Sequence, residues 1–126
     1  MGGVTNGIKE IRWDAYDDIL FVSKSVGTAI AAAYARTHGI ACRNVFYMPV
    51  ALTFDEKPRN GVAFTGTADP WVEMETVLSG CEKSGLPLTL IEGGNHSLET
   101  ENPMRNLDIL KEVMEKTRRF IRRETV

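Results

Sequence analysis

The sequence predicts an α/β domain: three αβα layers around a mostly parallel sheet of about four strands. Three observations predict it. Short apolar runs (Ile19–Val22, Asn44–Met48, Gly61–Thr65, Leu86–Ile91) recur along the chain with Gly-, Pro- or Asn-bearing turns around them. Such runs are the mark of strands buried on both faces. The stretches after the first, third and fourth runs carry apolar residues at helical spacing, and strands alternating with helices imply parallel pairing and helices on both faces of the sheet. The chain has 126 residues, enough for one domain spanning 1–126.

The elements follow in order. Met1–Gly7 is Gly-rich and expected to be irregular, and Ile8–Tyr16 suggests a short helix. After the Ile19–Val22 strand the chain turns through Ser23-Lys24-Ser25-Val26-Gly27 and enters an alanine-rich helix, Thr28–Arg36, with Gly39 as its C-terminal cap. His38 reads as a surface residue at that helix end. Pro49–Asn60 reads as a loop between the second and third strands. Gly66-Thr67-Ala68-Asp69-Pro70 is a turn, with Pro70 opening a helix that carries Trp71, Met74, Val77, Leu78 and Cys81 and ends at Gly85. Glu92–Ser97 is expected to be a flexible polar loop. Asn102-Pro103 starts a last helix, with Leu107, Leu110, Val113, Met114, Thr117, Phe120 and Ile121 as its apolar stripe. The Lys and Arg residues crowding its last turns read as a solvated helix end that complements the helix dipole.

Composition excludes several classes. Hydrophobic residues are 43% and charged residues 25% of the chain, an ordinary globular balance. Fifteen Lys+Arg against seventeen Asp+Glu gives a net charge of -2, with no general nucleic-acid surface. No apolar stretch approaches a membrane span, and no charged segment followed by an apolar one marks a signal peptide. Cys42 and Cys81 are not spaced as a metal pair or redox motif and read as two reduced thiols of a cytoplasmic protein. No metal or organic cofactor is implied. A nucleotide-binding βαβ unit is disfavoured because neither G-x-x-x-x-G-K-[ST] nor G-x-G-x-x-G is present.

Sites in parallel sheets form at the C-terminal ends of strands. Ser25, Asp69 and His96 follow the first, third and fourth strands. Strand, sharp turn with a central serine, then helix is the pattern of a nucleophile elbow, written here S-x-S-x-G where G-x-S-x-G is usual. The residues two before and two after the serine must be small, which Ser23 and Gly27 satisfy. A serine hydroxyl needs a base to become a nucleophile. Histidine can take and return that proton near neutral pH, and a carboxylate on its other nitrogen holds the ring. Read singly, each residue also fits a bland role: a turn serine, a helix-capping Asp69, a loop histidine.

Taken together, DDILFVSKSVGTAIA, FTGTADPW and LIEGGNHSLE resemble the C-terminal part of an α/β-hydrolase, a small lidless bacterial member distantly akin to dienelactone hydrolases. The resemblance covers the chain from about Ile8 onward. It implies a truncated α/β-hydrolase fold lacking the N-terminal strands. It also implies a serine hydrolase of small ester or thioester substrates. Ser25 would be its nucleophile, His96 its base and acid, Asp69 its orienting carboxylate and the Val26 N–H an oxyanion donor. Trp71 would line the acyl pocket or belong to the core. The second oxyanion donor of such enzymes comes from a loop after an earlier strand, which has no counterpart here. The Ile19–Val22 strand, central in a full sheet, is left with an open edge. The sequence therefore carries two alternatives. One is a hydrolase that covers this edge by self-association, most simply as a homodimer. The other is a non-catalytic truncated remnant or fragment that acts, if at all, as an interaction module.

Overall fold

The computed structural model describes residues 11–124. A single 3₁₀ turn, Trp13–Ala15, precedes strand β1 (Leu20–Lys24) and helix α1 (Val26–Thr37). Strand β2 (Arg43–Tyr47), short helix α2 (Ala51–Asp55) and strand β3 (Gly61–Gly66) follow. Helix α3 (Met74–Ser84), strand β4 (Leu88–Ile91) and the long helix α4 (Pro103–Ile121) are the last elements of the described residues. The four strands pair in sequence order, β1-β2-β3-β4, and every pair is parallel. The register sets Val22 beside Val45, Val45 beside Val62, and Ala63 beside Leu88.

Because strand side chains alternate between faces, each central strand feeds two cores. Val45, Val62 and Phe64 join Ile91, Ile109 and Val113 under α4. Phe46 and Ala63 join Ala32 of α1, Phe54 of α2, and Val77 and Cys81 of α3 on the opposite face. The architecture is thus a three-layer α/β sandwich in which, among the described residues, α4 is the one helix on its face. No helix among the described residues is long and apolar enough to cross a membrane.

Several boundaries and one face differ from the sequence reading. β1 runs two residues further than Ile19–Val22, because Ser23 and Lys24 continue the ladder beside Phe46 and Tyr47. Pro49–Asn60 is not all loop: it holds α2, whose Thr53 Oγ1 accepts the Val50 N–H at 3.1 Å. Pro70 does not open α3. The Asp69 carboxylate takes the Trp71 N–H at 2.8 Å, so the turn persists and the helix begins only at Met74. The apolar stripe on α4 is split. Val113 and Thr117 face the sheet together with Ile109, which the sequence reading does not include in the stripe, whereas Leu107, Leu110, Met114 and Ile121 are exposed. The Glu92–Ser97 segment, expected to be flexible, is tied by its own bonds: Asn95 Oδ1 accepts the Ser97 and Glu99 N–H groups, and Asn95 N–H donates to Glu99 O. The sequence-predicted helix over Ile8–Tyr16 falls partly outside the described residues; within them it is the 3₁₀ turn. The cap of α1 is as expected, with Gly39 at φ 61° and the Ile40 N–H reaching back to Ala35 O at 2.9 Å.

Arg43, at the start of β2, ties three elements together. Its guanidinium meets Asp18 Oδ2 at 3.1 Å, caps α4 through Phe120 O and Ile121 O at 2.9 and 3.2 Å, and lies over the Phe120 ring. Arg123 reaches the same Asp18 at 3.1 Å. The Arg43 side chain beside Asp18 holds that carboxyl below its ordinary value. On the other face, burial pushes the Cys81 thiol up to about 11 from 9.0.

That shift has a signed consequence. The native state holds the Cys81 proton more tightly than the unfolded chain does, so Cys81 leaves stability unchanged below about pH 9 and erodes it between pH 9 and pH 11. Thermal melts from pH 8 to 11 should show a steeper alkaline decline for the native sequence than for Cys81→Ala. Equal slopes would contradict the burial argument.

Candidate functional site

Three turns project from the C-terminal end of the sheet, after β1, β3 and β4. The first holds Ser25. Its backbone sits at φ 56°, ψ −129°, a region where an L-residue is strained. Such residues typically cost about 1–3 kcal/mol and persist only where surrounding structure enforces them. Here the Ser25 N–H donates to Tyr47 O at 2.8 Å, and the Ser25 carbonyl accepts the Thr28 N–H at 2.9 Å and the Thr28 hydroxyl at 2.6 Å.

The direction of the hydroxyl chain behind Ser25 is fixed by its ends. The Ser25 carbonyl can only accept, so the single Thr28 hydroxyl proton goes to it and Thr28 Oγ1 accepts the Thr53 proton across 2.7 Å. Thr53 Oγ1 in turn accepts the Val50 N–H. Both threonines are fully buried. Bonds in such a chain polarise one another, and this one fastens the strained turn to α2. Neither threonine was singled out by sequence reasoning. Thr28 could have been found from its place three residues after Ser25 in the first helical turn. Thr53 carries no local signal, because the fold alone brings α2 against α1.

The turns after β3 and β4 are joined backbone to backbone. A Cβ on Gly66 would fall 2.0 Å from Gly94 O, so that position has no room for one. Beside it, the Thr67 N–H donates to Ile91 O at 3.0 Å, the Ala68 N–H to Gly94 O at 2.9 Å, and the Gly93 N–H to Thr67 Oγ1 at 2.7 Å. This contact sets the distance between Asp69 and His96. Asp69 Oδ2 lies 2.7 Å from His96 Nδ1, and His96 Nε2 lies 2.7 Å from Ser25 Oγ. The other Asp69 oxygen is occupied by the Trp71 N–H. With Asp69 as an acceptor, His96 carries its proton on Nδ1, and Nε2 is the lone-pair nitrogen facing the Ser25 hydroxyl. The Asp69 side chain is shielded from solvent, whereas His96 is partly open.

The structure thus brings Ser25, Asp69 and His96 into one hydrogen-bonded line. Val26 is the first residue of α1, so its N–H is among the donors that a helix start leaves free beside Ser25. Trp71 is not core: it is 75% exposed, because the Asp69-capped turn carries it outward, and its ring lies 5.5 Å from that of His96. Gly27 is less constrained than the elbow pattern suggests, since a Cβ there would only touch Ser23 Cβ at 4.0 Å. The buried Ser23 hydroxyl has no partner among the described residues. Clefts elsewhere on the surface, such as the one lined by Arg36, Gly39, Cys42 and Asn60, are not formed by these residues. Among the described residues no cluster of His, Cys, Asp or Glu could hold a metal ion. No protein-family model, curated protein or solved structure matches the chain.

A serine so placed can lose its proton to His96 as it attacks an electrophilic carbon, with Asp69 opposite the imidazolium that forms. The hydrogen-bond accounting around it is testable through stability. Thr28→Val should destabilise the chain by about 1–3 kcal/mol, because it strands the Thr53 hydroxyl and removes one donor from Ser25 O. Ser23→Ala should be neutral or stabilise by up to about 1 kcal/mol, since it removes an unpaired buried hydroxyl. Denaturant midpoints of the two variants should shift in these opposite senses.

Proposed function

We propose that this chain is a serine hydrolase of small acyl substrates, esters or thioesters, related to the α/β-hydrolases. The observation that carries the reading is the line Ser25 Oγ–His96 Nε2–His96 Nδ1–Asp69 Oδ2, with both gaps at 2.7 Å and the serine on a strained strand-to-helix turn. In the proposed reaction Ser25 Oγ attacks the acyl carbon while its proton passes to Nε2 of His96. Asp69 Oδ2 steadies the imidazolium. The Val26 N–H donates to the oxyanion of the tetrahedral intermediate. His96 then protonates the leaving group, and the acyl-serine is hydrolysed by a water that His96 deprotonates in turn. The exposed Trp71 ring beside His96 offers an apolar wall to the acyl or leaving group. No metal or organic cofactor is needed for these steps. The buried unpaired thiols Cys42 and Cys81 favour a reducing compartment such as the cytoplasm, and self-association through the β1 edge is the proposed assembly.

A second reading is favoured by one observation. The strand and loop that carry the second oxyanion donor in α/β-hydrolases have no counterpart among the described residues, and loss of one donor typically lowers rate by about 10²–10³. In this reading the chain is a non-catalytic hydrolase-like module that acts through self-association.

A fluorophosphonate probe applied to the full chain separates the two. The hydrolase reading expects covalent labelling that Ser25→Ala abolishes and that His96→Ala or Asp69→Asn slows by at least about 10²-fold. A folded chain that takes no label, or label that survives Ser25→Ala, sinks it.

A further inference from the structure

We infer that the open edge of β1 is the centre of a two-fold interface with a second copy of this chain, in which the two β1 strands pair antiparallel about Val22. The inference rests on the edge and not on the proposed chemistry, so a failed labelling experiment leaves it standing.

The first argument is the phase of the backbone. Ile19 O accepts from Arg43, and the Ser25 N–H donates to Tyr47 O. Odd-numbered residues of β1 therefore turn their peptide groups toward β2. Leu20, Val22 and Lys24 turn theirs outward, where no strand of the described residues pairs with them. A two-fold axis at Val22 opposes Val22 to its copy and Leu20 to Lys24 of the copy. In this register every outward-facing peptide group of the strand finds a partner. An edge strand left unpaired is otherwise a template for indiscriminate association.

The second argument is charge. Asp17 and Asp18 are exposed at the entry to β1, and Lys24 is exposed at its end. Antiparallel pairing sets Lys24 of each copy opposite Leu20 of the other, toward the end that carries Asp17 and Asp18; Asp18 is already held by Arg43 and Arg123 of its own chain, so the added complement is chiefly Asp17. Opposite charges at neighbouring cross-strand positions stabilise a sheet, and like charges oppose it.

The third argument is the uncovered apolar surface on one face. Leu20 packs against the core under α4, so Val22, two residues on, shares that face, yet it is 56% exposed. The exposed residues Leu107, Leu110, Met114 and Ile121 lie on the side of α4 turned toward β1. Lys116 lies toward β3 and β4, lining a cleft with Val62 and Leu88. Thr117, one step round the helix, bonds Tyr47 of β2 at 2.7 Å. The exposed stripe comes next in that direction, and Arg123 anchors the end of α4 to Asp18 at the β1 entry. A two-fold axis normal to the sheet puts both α4 helices on the same face with these stripes turned toward each other. Backbone edge, charge and apolar stripe are each self-complementary under one operation, as an isologous interface requires.

The test is the solution mass of the full chain by light scattering over a dilution series, combined with oxidative cross-linking. The expected mass is twice that of one chain. Leu110→Glu and Met114→Glu, both at exposed positions, should each weaken the dimer by at least about ten-fold. Val22→Cys should form an intermolecular disulfide, because opposed residues of a hydrogen-bonded antiparallel pair stand about 5.5 Å apart at Cα, within disulfide range. Lys24→Cys should not, since the two copies of that residue stand roughly 14 Å apart. A monomer at every concentration overturns the proposal and leaves the edge to another part of the polypeptide or another protein. A dimer that ignores the stripe substitutions, or that cross-links through Lys24→Cys and not Val22→Cys, overturns it as well.

Discussion

Parallel pairing in sequence order governs this molecule. When β1, β2, β3 and β4 all run the same way, each strand delivers its following turn to one end of the sheet. Residues far apart in the chain, such as Ser25 and His96, are thereby delivered to the same end of the sheet, where they touch. The same constraint demands cover on both faces, because the connections of a parallel sheet must cross over it. α1, α2 and α3 close one face together, and α4 closes most of the other.

Within that frame the candidate site is held by polar contacts of two kinds. Behind Ser25, the run from the Val50 N–H through Thr53 and Thr28 to the Ser25 carbonyl gives each hydroxyl one donor role and one acceptor role. Such a chain holds one geometry and resists rearrangement, which suits a turn whose backbone is strained. Beside Asp69 and His96, two glycines allow two loops to approach at backbone distance, which no side chain could bridge as closely. The bonds made there join the turn after β3 to the loop after β4, so Asp69 and His96 are carried on one connected backbone frame. The rigid parts lie beneath the reactive line, while Trp71, Val26 and one side of His96 face solvent.

The β1 edge stands apart from this economy of satisfied groups. Arg43 and Arg123 bind the entry of β1 to β2 and α4 through Asp18, so the strand is well anchored on its inner side. Its outer side, which pairs with no strand among the described residues, lies next to an apolar shelf made by Val22 and α4. An edge that served only to end a sheet would be blunted by charge, proline or a bulge along its length. Here charge is confined to the two ends and the middle is valine, which suits pairing more than protection.

The chain's own sequence determined the class of fold and the cast of the site. Apolar runs set the strands, alanine and the Gly39 and Gly85 stops set the helices, and the turn residues put Ser25, Asp69 and His96 after their strands. These are local properties, fixed by side-chain periodicity and backbone conformational preference over a few residues. What tertiary structure decided lies in relations between distant segments. It rotated the buried face of α4 away from the centre of the sequence-read stripe, because Val113 and Thr117 meet the sheet with Ile109 while Leu107, Leu110, Met114 and Ile121 are left exposed. It delayed the start of α3, because the Asp69 carboxylate takes the Trp71 N–H, and so turned a candidate core tryptophan outward. It joined Thr28 to Thr53 and Gly66 to Gly94. None of these pairings has a signature in sequence, because each depends on distances between elements, and such distances exist only once both faces of the sheet are packed.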